Sequence, residues 1–137
     1  MKLNLLSYTP NLELIVATAM LTTSSGALPS TLYSRMRENP EKAKEVVGRL
    51  EVQHGSILEH NRLVWRLDET DSRVLDTLLD CKFFNFTRLG GDSWLMSGNL
   101  RTVVEYSESH GDEFSEALVE SIKDVAPTVH RFAMRSE

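Results

Sequence analysis

Leu63, Trp65 and Leu67 recur at every second position between Asn61 and Leu67, with Arg66 among them, the period of a strand that buries one face. A second extended segment is expected at Lys2 to Ser7, and two more, Phe83 to Leu89 and Ser93 to Met96, flank Gly90-Gly91-Asp92, which reads as a hairpin turn. Between these the period becomes helical. Leu12, Ile15, Val16, Ala19 and Met20 share one helical face, after a start at Thr9-Pro10 with a hydroxyl at the cap and proline at the first helical position. Asn39-Pro40 repeats that signal for a charged helix reaching about Val52, with Val46, Val47 and Leu50 inward. Asp68 to Asp71 reads as a turn, and Ser72 as the cap of a helix whose apolar face is Val74, Leu75, Leu78 and Leu79. Asn99 opens a further helix, an amphipathic one runs from about Asp112 to Asp124, and a last one starts at Pro127. Thr22 to Pro29 is a loop of small residues, the kind of segment that a ligand approaches closely. With no repeat, low-complexity tract or Pro/Gly-rich linker, the pattern predicts one α+β domain over 1–137, a small antiparallel sheet packed with several helices.

Composition narrows the class. A chain of 137 residues can bury a core but is small for enclosing two substrates, a shortage that a site shared between subunits would remove. Hydrophobic content of 41% with 26% charged residues describes a soluble globular protein. The net charge of -5 and the lack of any Lys/Arg run argue against general nucleic-acid affinity, although a few arginines can still hold one phosphate. Leu3 to Leu6 is too short for a signal core and no apolar run is long enough for a bilayer, so a cytoplasmic location is expected. The single Cys81 excludes an internal disulfide and a multi-cysteine metal site, in keeping with a reducing compartment.

Candidate chemistry lies at two places. The run His54-Gly55-Ser56-Ile57-Leu58-Glu59-His60 places polar groups between a helix and a strand. Ser56-x-x-Glu59 is a capping box on one reading. On the other, His54 and Ser56 donate to a phosphate or ring carbonyl beside a helix start, where free N–H groups and the helix dipole favour an anion. His54 and His60 lack a third ligand at useful spacing, so no metal is expected. Ser97-Gly98-Asn99-Leu100-Arg101 has the same double reading: Asn99 is a helix cap, and Arg101, a cation in a first turn, calls for an anionic partner, either a carboxylate or a ligand phosphate. Elsewhere Cys81 reads as a packed thiol, and Trp65, Trp94, Phe84 and Phe86 as core aromatics or a stacking pair.

Taken in order, Leu5-Leu6-Ser7-Tyr8-Thr9-Pro10-Asn11, His54-x-Ser56-x-Leu58-Glu59-His60, Ser97-Gly98-Asn99-Leu100-Arg101 and Asp124-Val125-Ala126-Pro127 resemble the flavin-dependent thymidylate synthases. The resemblance implies a thymidylate synthase-complementing protein-like fold and a homotetramer with sites built from several subunits. It also implies reductive methylation of dUMP or a related uridine nucleotide, using FAD, reduced nicotinamide (NADPH) and methylenetetrahydrofolate. By position it assigns Thr22, His54, Ser56, Asn99 and Arg101 to the flavin, while Glu59 and His60 chiefly hold the shape of their loop.

The likeness is uneven. Where the family carries Arg-His-Arg and a following serine, this chain reads Asp80-Cys81-Lys82-Phe83-Phe84-Asn85-Phe86, and the long segment that normally follows is missing. Asp80 in place of an arginine repels a nucleotide phosphate. The family's pyrimidine-activating arginine falls near His110, which, when protonated, substitutes in part as the catalytic cation. The flavin half of such a site is thus partly present and the nucleotide half largely absent. A catalytically inactive relative that binds flavin or a nucleotide, or serves as an oligomerisation module, is the alternative.

Overall fold

A computed structural model describes residues 1–51 and 55–135. Four antiparallel strands, β1 (Lys2–Tyr8), β2 (Leu63–Asp68), β3 (Asn85–Gly90) and β4 (Ser93–Gly98), form one sheet in the order β1-β2-β4-β3. The two-residue period of β2 sets its inner face. Leu5 pairs with Trp65, Trp65 with Met96, and Met96 with Phe86, so one row of apolar side chains crosses the whole sheet. Trp65 and Met96, at its centre, are fully buried. The neighbouring row of Asn4, Arg66 and Thr87 points the other way and is exposed.

Seven helices accompany the sheet among the described residues: α1 (Leu12–Thr22), α2 (Pro29–Glu38), α3 (Pro40–Val47), α4 (Asp71–Asp80), α5 (Leu100–Ser109), α6 (Glu113–Ser121) and α7 (Pro127–Arg135). The expected α+β class is therefore what the chain adopts. α1 packs on α2 and α3, α5 packs on α6 and α7, and α6 meets β1. The Trp65 indole N–H donates to Ser121 Oγ at 2.9 Å, which ties the sheet to α6 without leaving a buried donor unpaired.

Several boundaries differ from the sequence expectation, each for a local reason. Thr9 does not cap α1: its hydroxyl accepts from the Arg62 N–H at 2.8 Å and prolongs the β1–β2 pairing. The cap falls to Asn11, whose φ of 58° is the left-handed conformation that asparagine tolerates better than most residues. α3 stops at Val47 before Gly48, short of Val52. Thr70, not Ser72, caps α4, and β3 begins at Asn85, two residues after Phe83. α2 was not anticipated, although Pro29 at its first turn and buried Leu32 and Met36 one turn apart are the usual signals. The largest departure is α4. Of its expected inward face only Val74 is buried, whereas Leu75, Leu78 and Leu79 are 56%, 38% and 74% exposed and neighbouring Phe83 is 71% exposed.

The two ends of the chain meet at Glu13. Its Oε1 accepts from the Thr128 N–H at 2.7 Å, capping the start of α7, while Oε2 is buried without a partner. Burial pushes this carboxyl above its ordinary value of 4.5, against the smaller opposing pull of the Thr128 hydrogen bonds. A raised carboxyl pKa means the folded state holds the proton more tightly. The associated stability is therefore full below 4.5 and declines as pH rises through the folded-state value. Glu13→Gln keeps an acceptor for Thr128 without a charge. The variant is expected to gain stability over the parent chain as pH rises to neutral, read by urea unfolding on both sides of the transition. A gap that does not change with pH would show that Glu13 does not titrate there.

Candidate functional site

The loop before β2 and the start of α5 come together. Gly98 ends β4 under the Phe84 ring, where an added Cβ would lie 3.0 Å from Cδ1, so only glycine lets the strand pass so close. Asn99 then caps α5, its Oδ1 accepting from the Thr102 N–H and hydroxyl, both at 2.9 Å. Opposite, Gly55–Leu58 forms one turn of 3-10 helix with Ile57 and Leu58 buried and Ser56 exposed. Asn61 fastens the two pieces. Its amide donates to Leu58 O at 2.9 Å, and its Oδ1 accepts from the Leu100 N–H at 2.9 Å.

Arg101 is the centre of this junction. Nη1 meets Glu59 Oε1 at 2.6 Å and Nε meets Glu105 Oε1 at 2.9 Å. Hydrogen bonds to Glu105 first and Glu59 second push the guanidinium pKa up, so it is a fixed cation. Gly55 lies against it so closely that a Cβ there would be 3.1 Å from the guanidinium atoms. The anionic partner that the sequence demanded is thus found in two carboxylates of the chain. The side chain is still 37% exposed, and two carboxylate contacts leave donors on its outer edge. Ser56, which on one reading forms a capping box with Glu59, lies within the 3-10 turn, and the Glu59 N–H just after it donates to Ser56 O at 3.2 Å.

The remaining expected residues sit elsewhere. His54 lies outside the described residues. Thr22 ends α1, its exposed hydroxyl donating to Ala19 O at 2.7 Å. His110 follows the last turn of α5, nine residues beyond Arg101, which at 1.5 Å per residue separates them by about 13 Å along the helix. There it stacks on Tyr106 at 3.9 Å, with Nδ1 3.0 Å from Tyr106 O and Nε2 3.3 Å from Asp80 Oδ2. Both partners are acceptors, so both contacts are hydrogen bonds only when the ring carries two protons.

Beside this pair a cleft of about 210 Å³ opens between α4 and the α5–α6 corner, and Glu69, Arg73, Asp76, Asp80, Tyr106 and Asp112 are among its lining residues. Burial, reinforced by Asp112, pushes the Tyr106 phenol up, against a hydrogen bond to Thr77. With four carboxylates to one arginine, the cleft favours cationic or neutral groups over a phosphate. Asn61 is the contact the sequence did not reveal: it reads as the first residue of a strand, and only the fold brings it to α5. Among the described residues no cluster of His, Cys, Asp and Glu suits a metal ion, and no helix is long and apolar enough to cross a membrane.

No protein-family model matches the sequence, and no curated protein matches it either. Solved structures do match. A crystal structure of the flavin-dependent thymidylate synthase ThyX from Helicobacter pylori, complexed with FAD and dUMP, superposes with a TM-score of 0.68 at 12% identity, covering 97% of this chain and 99% of that one. A second crystal structure of ThyX from Helicobacter pylori, also with FAD and dUMP, gives 0.72 at 11% identity, over 98% and 100%. At such identities the likeness concerns architecture alone: this chain has the α+β fold of the thymidylate synthase ThyX.

Proposed function

We propose that this chain is a flavin-dependent thymidylate synthase-like protein that binds FAD and carries out reductive methylation of dUMP or a related uridine nucleotide, with NADPH and methylenetetrahydrofolate as co-substrates. The observation that carries the reading is the junction of Gly55–Leu58 with the start of α5, in a fold shared end to end with a synthase solved with FAD and dUMP. Its donors suit a flavin nucleotide. The exposed Ser56 hydroxyl, the Asn99 amide nitrogen and the outer edge of Arg101 present hydrogen-bond donors and one positive charge to a phosphate or a ring carbonyl. His54 and Thr22 complete the proposed flavin set. FAD, when bound, would take the hydride from reduced nicotinamide and, as the reduced flavin, pass it on. In this reading His110, whose Nε2 lies 3.3 Å from Asp80 Oδ2, holds a proton and favours negative charge developing on the pyrimidine. The distance between His110 and Arg101 is then bridged by sites shared between subunits of a homo-oligomer, in the proposal a tetramer. The exposed stripe of Leu75, Leu78, Leu79 and Phe83 supports such self-association, since apolar patches of that kind mark contact surfaces. The lone Cys81, half-buried, is consistent with a cytoplasmic location.

A second reading, binding of flavin or a nucleotide without turnover, is favoured by one observation. Both side chains proposed to meet negative charge already face carboxylates, Arg101 with Glu59 and Glu105, His110 with Asp80. Purified protein is expected to show a flavin absorbance band, or to acquire one on reconstitution with FAD, and to have the mass of an oligomer. Colourless protein that takes up no FAD would remove the synthase reading and the flavin branch of the second. Growth of a thymidylate synthase-deficient strain supports the synthase, and flavin binding without growth supports the second. His110→Ala is expected to lower the rate by a factor of about 10², and an unchanged rate would end that role.

A further inference from the structure

A groove of about 470 Å³ lies between α3 and α7, on a part of the molecule that shares no lining residue with the Arg101 junction or the Asp80 cleft. Among the described residues its ionisable wall is basic: Lys44 from α3, and His130, Arg131 and Arg135 from α7. This is unexpected in a chain of net charge -5. Arg131 and Arg135 are four residues apart, so they share a face of α7 with a rise of about 6 Å between them. Among the described residues neither makes an ion pair: the hydrogen bond of Arg131 Nη2 goes to Thr128 Oγ1 at 3.4 Å. Described carboxylates come near without lining the groove. Glu41 is 3.5 Å from Lys44 Nζ, Glu120 Oε2 is 3.9 Å from His130 Nε2, and Glu13 is held by the Thr128 N–H. His130 Nε2 itself is out of water and has no hydrogen-bond partner.

From these facts we infer that the groove is an anion site for a phosphate-bearing small molecule. Arg131 and Arg135 supply two planar forks that match phosphate oxygens, and Lys44 adds a third charge from the facing helix. The volume is that of a small-molecule pocket, not of a track for a polymer. Among the described residues no lining carboxylate competes with the ligand. The site does not depend on flavin binding, and its test is independent of the function proposed above.

Inorganic pyrophosphate is the probe, titrated into the full chain by calorimetry at constant ionic strength. Saturable binding of one pyrophosphate per chain is expected, with Arg131→Gln and Arg135→Gln each weakening it by about tenfold or more. Both side chains are exposed, so the variants should keep the melting temperature of the parent. Arg37→Gln on α2 controls for general charge, and Arg101→Gln for binding at the α5 junction. Absence of saturable binding would overturn the site, as would full affinity in both α7 variants. So would an equal loss in Arg37→Gln, which means diffuse attraction, or loss in Arg101→Gln alone, which means the probe sits at the other junction.

Discussion

Phe84→Ala should cost about 3–5 kcal/mol, a large fraction of the roughly 5–15 kcal/mol that holds a domain folded. Phe84 is 2% exposed and stands among four rings, with centroids at 6.4 Å for Trp65, 6.2 Å for Phe86, 5.7 Å for Tyr106 and 6.1 Å for Phe114, all edge-on. Truncation removes the area it buries and the edge-to-face contacts, and leaves a void that the sheet cannot fill, since Gly98 on the facing strand has no side chain to move in. Phe84→Leu keeps part of the volume and should fall between. The urea midpoint reads both, and a midpoint close to the parent's in Phe84→Ala would show that the aromatic cluster is not what joins the sheet to α5 and α6. Tyr106 belongs to the same cluster and carries the stacked His110, so the loss should also loosen the His110–Asp80 contact.

Arg101→Gln is expected to weaken FAD binding by about 10- to 100-fold, the worth of one charge-assisted contact. Glutamine keeps a donor at reduced length but loses the charge and the fork. The fold should hardly respond, because both ion pairs of Arg101 are solvent-accessible and Glu59 and Glu105 can turn to water when it is gone. Flavin fluorescence titration against the variant, with a melting curve beside it, separates the two effects. Unchanged FAD affinity would make Arg101 a purely structural tie between loop and helix. A lowered melting temperature with unchanged affinity would say the same more strongly.

Elements announced by local chemistry were legible. Asn39, Asn99 and Asp112 each accept from the backbone N–H three residues on, and the sequence marks all three helix starts. The alternation of Leu63, Trp65 and Leu67 likewise gave the inner face of β2, and those three side chains are buried. What failed depended on partners distant in sequence. Thr9 looks like a cap until Arg62, 53 residues on, takes its hydroxyl. The apolar stripe of α4 looks like core because periodicity reports that a face is apolar and not what covers it. At the site, Arg101 plainly needed an anion, but choosing between Glu59 and a phosphate required knowing that the loop folds back onto α5. Asn61, which makes that fold-back rigid, carried no signal beyond a strand start.

The hydrogen bond between Glu13 and Thr128 closes a segment of 115 residues. On a ribosome the first helix is therefore complete long before its carboxylate finds the amide it needs, and loop closure of that length is entropically slow to be repaid. Until α7 arrives, the part of α3 that packs against it stays open to other chains. Yield in the cell should consequently depend more on vectorial synthesis and chaperone protection than on the equilibrium stability of the finished molecule.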